Sequence, residues 1–102
     1  MKYTIDGIKA DYKKHNPQGH WFDKDTMNYW GTKFESGVYT TPNDGHRAWF
    51  VTSEDELYQT KRLMSVRAYD LDSHEIYTIS SMVEETAEQA RARARFIAGA
   101  KL

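Results

Sequence analysis

The chain has 102 residues, 39% apolar and 14% aromatic, with a formal net charge of −1 and no cysteine. That length supports one compact core, the near-neutral charge creates no field that draws nucleic acid or anionic membrane, and the missing thiols exclude disulfides, thiolate metal sites and cysteine nucleophiles. Neither a signal-type segment nor an apolar stretch long enough for a transmembrane helix occurs, so a soluble cytoplasmic protein with no membrane contact is expected.

Tyr3 and Ile5 alternate with polar residues ahead of Gly7, which predicts a short strand. Residues 1–15 together read as a loosely ordered arm on a single domain spanning residues 1–102. Asn16-Pro17-Gln18-Gly19 is a turn, with proline fixing φ and glycine relieving strain. It delivers His20 and Trp21 to a short helix over Asp23–Trp30, in which the Asp23 carboxylate is expected to cap the free N–H groups of Asp25 or Thr26 and Gly31 supplies the left-handed C-terminal position. Two turns of helix are not stable alone, so Phe22, Met27 and Tyr29 or Trp30 are expected to be buried.

Lys33–Thr41 reads as a strand in which Gly37 marks a bulge or a close backbone approach. Pro42-Asn43-Asp44-Gly45 turns the chain back into Arg47–Ser53 as its antiparallel partner. Ser53-Glu54-Asp55-Glu56 resembles a helix cap and belongs at the surface. Leu63–Leu71 and Glu75–Met82 form a second hairpin through Asp72-Ser73-His74, whose side chains suit a loop with unusual φ. Thr86-Ala87-Glu88-Gln89 is a capping box opening a helix to about Ala98. Ala87, Ala90, Ala94, Ile97 and Ala98 share one face of it, and Phe96 points the other way. The sum is an α+β fold: an antiparallel sheet of about four strands covered by a C-terminal helix, with the short Asp23–Trp30 helix at an edge or across the same layer.

Chemistry is sparse. His20 with Asp23, His46 beside Asp44, and His74 between Asp72 and Glu75 are acid–base inventory without a signature, and turn aspartates serve the backbone. No catalytic residue and no cofactor is assigned, and an enzyme is disfavoured. His15 and His20 with Asp23 offer nitrogen and oxygen donors for a metal-dependent hydrolase, yet their spacing matches no defined site and no metal ligand is assigned. Arg62, Arg67, Arg91 and Arg95, with Tyr58 and Tyr69 nearby in sequence, suggest a nucleic-acid-binding alternative. Acidic residues opening the last helix and arginines closing it also complement the helix dipole. Surplus aromatics point to a partner-binding face that includes Trp21, Trp30, Tyr58 and Phe96, because so small a domain cannot bury all its large rings.

The run Asn16-Pro17-Gln18-Gly19-His20-Trp21-Phe22-Asp23-Lys24-Asp25-Thr26-Met27, continuing to Lys33, resembles the hallmark of a family of small proteins of unknown function from bacteriophages, prophages and their hosts. Trp49-Phe50-Val51-Thr52-Ser53-Glu54, Ser65-Val66-Arg67 and the alanine-rich stretch Thr86–Ala94 fit the same pattern, so the likeness spans about residues 16–98. Trp21 and Trp30 stand where phenylalanine is commoner, and an acidic insertion lies near Glu54–Tyr58. The resemblance implies no activity. It implies a setting, that of a small accessory protein acting inside an infected bacterial cell. Taken with the small size and the surplus aromatics, it leads to the expectation of a non-enzymatic protein in the host cytoplasm that binds a host protein and modulates host defence.

Overall fold

The computed structural model describes residues 4–41, 44–55, 62–83 and 86–99. Helix α1 (Ile5–His15) is followed by α2 (Lys24–Trp30), then β1 (Lys33–Phe34), β2 (Tyr39–Thr41), β3 (Asp44–Glu54), β4 (Leu63–Asp70) and β5 (Ile76–Val83), and α3 (Ala87–Ala98) closes the chain. All strand pairs are antiparallel, in the order β1-β3-β4-β5, and β2 also pairs with β3. The α+β fold, the two hairpins and the C-terminal helix are as expected. The predicted Lys33–Thr41 strand is two short pieces interrupted around Gly37, which has open space around it rather than a close backbone neighbour.

Where the sequence suggested a strand and an arm, residues 5–15 form a helix. Thr4 caps it by accepting from the Gly7 N–H at 3.0 Å, and Lys13, Lys14 and His15 occupy its last turn, where cations suit the dipole. Ile5, Ile8 and Tyr12 recur at helical spacing and pack with Phe50 and Tyr69. Up to Gly7 the sequence shows only alternation, and the helical period emerges once Ile8 and Tyr12 are included.

The sheet is therefore covered on both faces. Trp49, Val51, Met64, Val66 and Ala68 meet Ala90 and Ala94 of α3 on one side. Ala48, Phe50 and Tyr69 meet Ile8 on the other, with Trp21, Phe22 and Phe34 around them. Burial on both sides explains why β4 is buried from Met64 through Tyr69 without alternation. Ser53, expected at the surface, is fully buried because β3 continues through it to Glu54.

Helix α2 departs from expectation in two ways. None of its own residues is buried, Tyr29 and Trp30 being 79% and 50% exposed, and the packing falls to Trp21 and Phe22 just before it. The Asp23 side chain makes no cap bond, because His20 Nδ1 at 2.6 Å and Lys13 Nζ at 3.5 Å hold its carboxylate. The helix is instead fixed at its end. Gly31 takes φ 62°, the Asp55 N–H donates to the Trp30 carbonyl at 2.9 Å, and an added Cβ on Gly31 would meet the Asp55 carboxylate at 2.1 Å.

Helix α3 carries the full reciprocal capping box between Thr86 and Gln89 and ends on Gly99 at φ 69°. Its alanines let the backbone lie close on β3 and β4. Ala94→Leu should accordingly destabilise the protein by about 1–3 kcal/mol through overpacking, while Ala92→Leu, at an exposed position, changes stability by less than about 0.5 kcal/mol; urea unfolding of the two variants checks the contrast. Gly31→Ala should cost at least about 1–2 kcal/mol from its left-handed φ, and Gly37→Ala, in open space, should not destabilise.

Candidate functional site

Between α2 and the rim of β3 and β4 lies a cleft of about 290 Å³ lined by Trp21, Thr26, Met27, Trp30, Thr32, Glu54 and Arg67. Its floor is Arg67, the one buried cation of the sheet among the described residues. Arg67, 8% exposed, donates Nε to Thr52 Oγ1 at 3.1 Å, and its two terminal nitrogens to Thr78 Oγ1 and Glu54 Oε1. The guanidinium also lies 5.0 Å from the centre of the Trp21 ring. Burial lowers the Arg67 pKa and the neighbouring Glu54 carboxylate offsets part of that. Thr78 reaches Arg67 because the β4–β5 register slips between Val66 and Arg67, leaving Ile79 as the extra residue of a bulge.

The structure brings Trp21 and Trp30 together in this cleft. It does not add the other two aromatics: Phe96 is 88% exposed on α3, across the sheet, and Tyr58 lies outside the described residues. Tyr29 stands against Trp30 edge to face at 4.9 Å and extends the aromatic rim.

Nor are the four arginines one patch. Arg62 ties the end of α2 to the end of β3, donating to the Gly31 and Ser53 carbonyls, to Ser53 Oγ at 2.8 Å and to Asp55 Oδ1 at 2.6 Å. Arg67 is buried on the face that α1 covers, whereas Arg91 and Arg95 lie along one flank of α3 on the opposite face. Arg91 donates to the Glu35 carbonyl at 2.7 Å, Arg95 lies 5.8 Å from the Tyr39 ring, and Arg93 reaches the other way to Ser80 and to the Met64 carbonyl. These cations work as props between helix and sheet.

The histidines regroup as well. His20 pairs with Asp23 as the sequence suggests, but His46 pairs with Asp72 at 2.5 Å. His15 lies in a different group from His20, stacked on His74 with centroids 3.6 Å apart and planes 3° from parallel. Asp11 Oδ2 accepts from the Tyr69 hydroxyl at 2.6 Å and faces His74 Nδ1 at 3.3 Å. His74 holds φ 60° in the β4–β5 turn, and Asn16 donates to its carbonyl at 2.8 Å. Burial raises the Asp11 pKa, but hydrogen bonds from Tyr69 and His74 and the nearness of His15 outweigh it and leave the carboxyl below the usual 3.8. Burial and the Asp11 bond push the Tyr69 phenol far up, so it stays a donor. Asp11 and Tyr69 had no signal in the sequence for this role, since they meet across 58 residues.

Fold and site together describe a three-layer α+β domain with an aromatic cleft at one end of its sheet. No helix among the described residues is long and apolar enough to cross a membrane. The chain belongs to the DUF7447 family, a family of unknown function, which it matches over residues 4–95. No curated protein and no solved structure matches it.

Two outcomes test this geometry. Arg67→Met should cost about 3 kcal/mol by leaving Glu54 without its cation, and Arg67→Met with Glu54→Leu should recover most of that loss; a double-mutant cycle in urea measures the coupling. Because the folded pKa of Asp11 lies below its unfolded value, its contribution is complete above pH 3.8 and is lost as pH falls through the folded pKa. Tyr69→Phe removes a bond that lowers that pKa, so the fall in stability as pH drops below about 4 should flatten, as acid unfolding of the two proteins measures.

Proposed function

We propose that this protein is a non-enzymatic accessory protein of phage or prophage origin that binds a host protein through the cleft between α2 and the β3–β4 rim. The observation that carries the reading is the convergence of Trp21, Met27 and Trp30 on one cleft beside the exposed Tyr29. Aromatic and methionine side chains are those enriched at interface cores, and a partly exposed ring over a firm floor loses little conformational freedom on binding. The firmness comes from Arg67, whose bonds to Thr52, Thr78 and Glu54 fix the base of the cleft before any partner arrives. The phage setting, the bacterial cytoplasm as its site and a role against host defence are supported by the resemblance of residues 16–98.

The nucleic-acid alternative draws less support, because the described arginines it would use are divided between two faces and occupied within the fold. The test is affinity capture from bacterial lysate with the wild-type chain and with Trp30→Ala and Tyr29→Ala, each with and without nuclease. The expected result is a stoichiometric host protein that survives nuclease and is weakened by at least about 10-fold in the tryptophan variant, a hot-spot-sized loss. Retention only in the absence of nuclease, or equal retention by every variant, would overturn the cleft as the binding site.

A further inference from the structure

We propose that Asp11, His15 and His74 form a binding site for a first-row divalent transition ion, with Zn²⁺ the natural occupant. One donor atom from each of the three lies within 4.8 Å of the other two, and this is the one such group among the described residues. Asp11 and His15 are four residues apart on α1, which stacks them on one helix face. His74 comes from the β4–β5 turn, so an ion here would join the first helix to the far end of the sheet.

Three features favour a metal over an incidental cluster. The donor set is two imidazoles and a carboxylate with no sulfur, the set that suits zinc and its neighbours rather than magnesium or calcium. The carboxylate is already oriented by the Tyr69 hydroxyl, which donates to Asp11 Oδ2 at 2.6 Å and lies 3.1 Å from His74 Nδ1, the kind of supporting bond that fixes metal ligands. The turn that presents His74 is itself held in place: Asp70 Oδ1 accepts from the Asp72 and Ser73 N–H groups at 2.8 and 2.9 Å, and Asn16 of the α1 end grips the His74 carbonyl. An uncommon φ of 60° is maintained at a histidine where asparagine or glycine is the usual choice.

The present spacing is that of an open site. Bonds of 2.0–2.1 Å in a tetrahedral shell place ligand atoms roughly 3.3 Å apart, so binding draws the widest pair inward by at most about 1.5 Å and swings the imidazoles out of their stack about soft χ2 torsions. Both rings now turn Nδ1 toward Asp11, at 3.7 Å for His15 and 3.3 Å for His74. Entry of the ion at that edge therefore exchanges the His15 bond to the Asp11 carbonyl for a metal bond. Three protein ligands leave a fourth position for water or for a side chain of another molecule.

The experiment uses the full chain stripped with chelator, titrated calorimetrically with Zn²⁺, followed by thermal unfolding with and without Zn²⁺ and by the visible absorption of the Co²⁺ form. One equivalent should bind, raise the unfolding temperature and give a Co²⁺ spectrum of nitrogen–oxygen type. His15→Gln and His74→Asn should each weaken Zn²⁺ by more than the 10–100-fold typical of losing a merely supporting residue. Tyr69→Phe should fall within that range, and His20→Gln and His46→Gln should bind as wild type. Asparagine at position 74 keeps the preference for positive φ, so that variant retains the turn. The proposal is overturned if no saturable equivalent of Zn²⁺ or Co²⁺ binds, or if binding survives both His15→Gln and His74→Asn, or if it is lost instead with His20→Gln.

Discussion

Arg67 stands in a strand covered on both faces, and a guanidinium so placed must find its hydrogen bonds inside the protein. Much of the surrounding structure answers that demand. Thr52 and Glu54 on β3 share its face of the sheet, a bulge re-aims Thr78 from β5, and the Trp21 ring lies against the cation. A hydrophobic residue at this position would remove the need for the bulge and for the buried end of Glu54. Its bonds to Thr52 and Glu54 on one neighbour and Thr78 on the other tie three strands together in this register, at the cost of desolvating the charge. It also hardens the floor of the cleft, which links the core to the surface where α2 displays its rings.

The two helices on opposite faces do different jobs. Helix α3 is a close-fitting plate: small residues face the strands, and arginines on its flanks reach down to Glu35, Tyr39, Ser80 and Met64. Helix α1 covers less of the sheet, through Ile5, Ile8 and Tyr12, and its C-terminal end is joined to the β4–β5 turn by polar contacts. That difference places the histidine stack, and with it the ion site, at the more polar of the two seams.

Strands and caps were legible in the sequence wherever a local rule was sufficient. The hairpin pairings, the Thr86 capping box, Gly31 and Gly99 in the left-handed region and the interruption at Gly37 all follow from residues close in the chain. What was hidden depended on distant pairing. Asp23 was a reasonable cap until Lys13 and His20 drew its carboxylate away, and Arg67 was a candidate for phosphate until β3 and β5 closed around it. Trp21 and Trp30 stand out in composition as surplus aromatics, but that they share a cleft while Phe96 does not is a fact of the layer order. The missed first helix is of another kind, a periodicity present in Ile5, Ile8 and Tyr12 but spread over a longer window than a strand needs.

The borders of the sheet carry a last consequence. One side of β3 is covered by two short strands with a break between them and a register shift at Tyr39–Thr41, and the opposite border, β5, contains the bulge at Ile79. A straight run of free backbone groups would serve as a template for another chain's strand, especially where Tyr77, Ile79 and Met82 lie exposed. Interruption and bulging twist each border out of that geometry. The irregularities that position Thr78 for Arg67 thus also protect crowded copies of the protein from stacking edge to edge into aggregates.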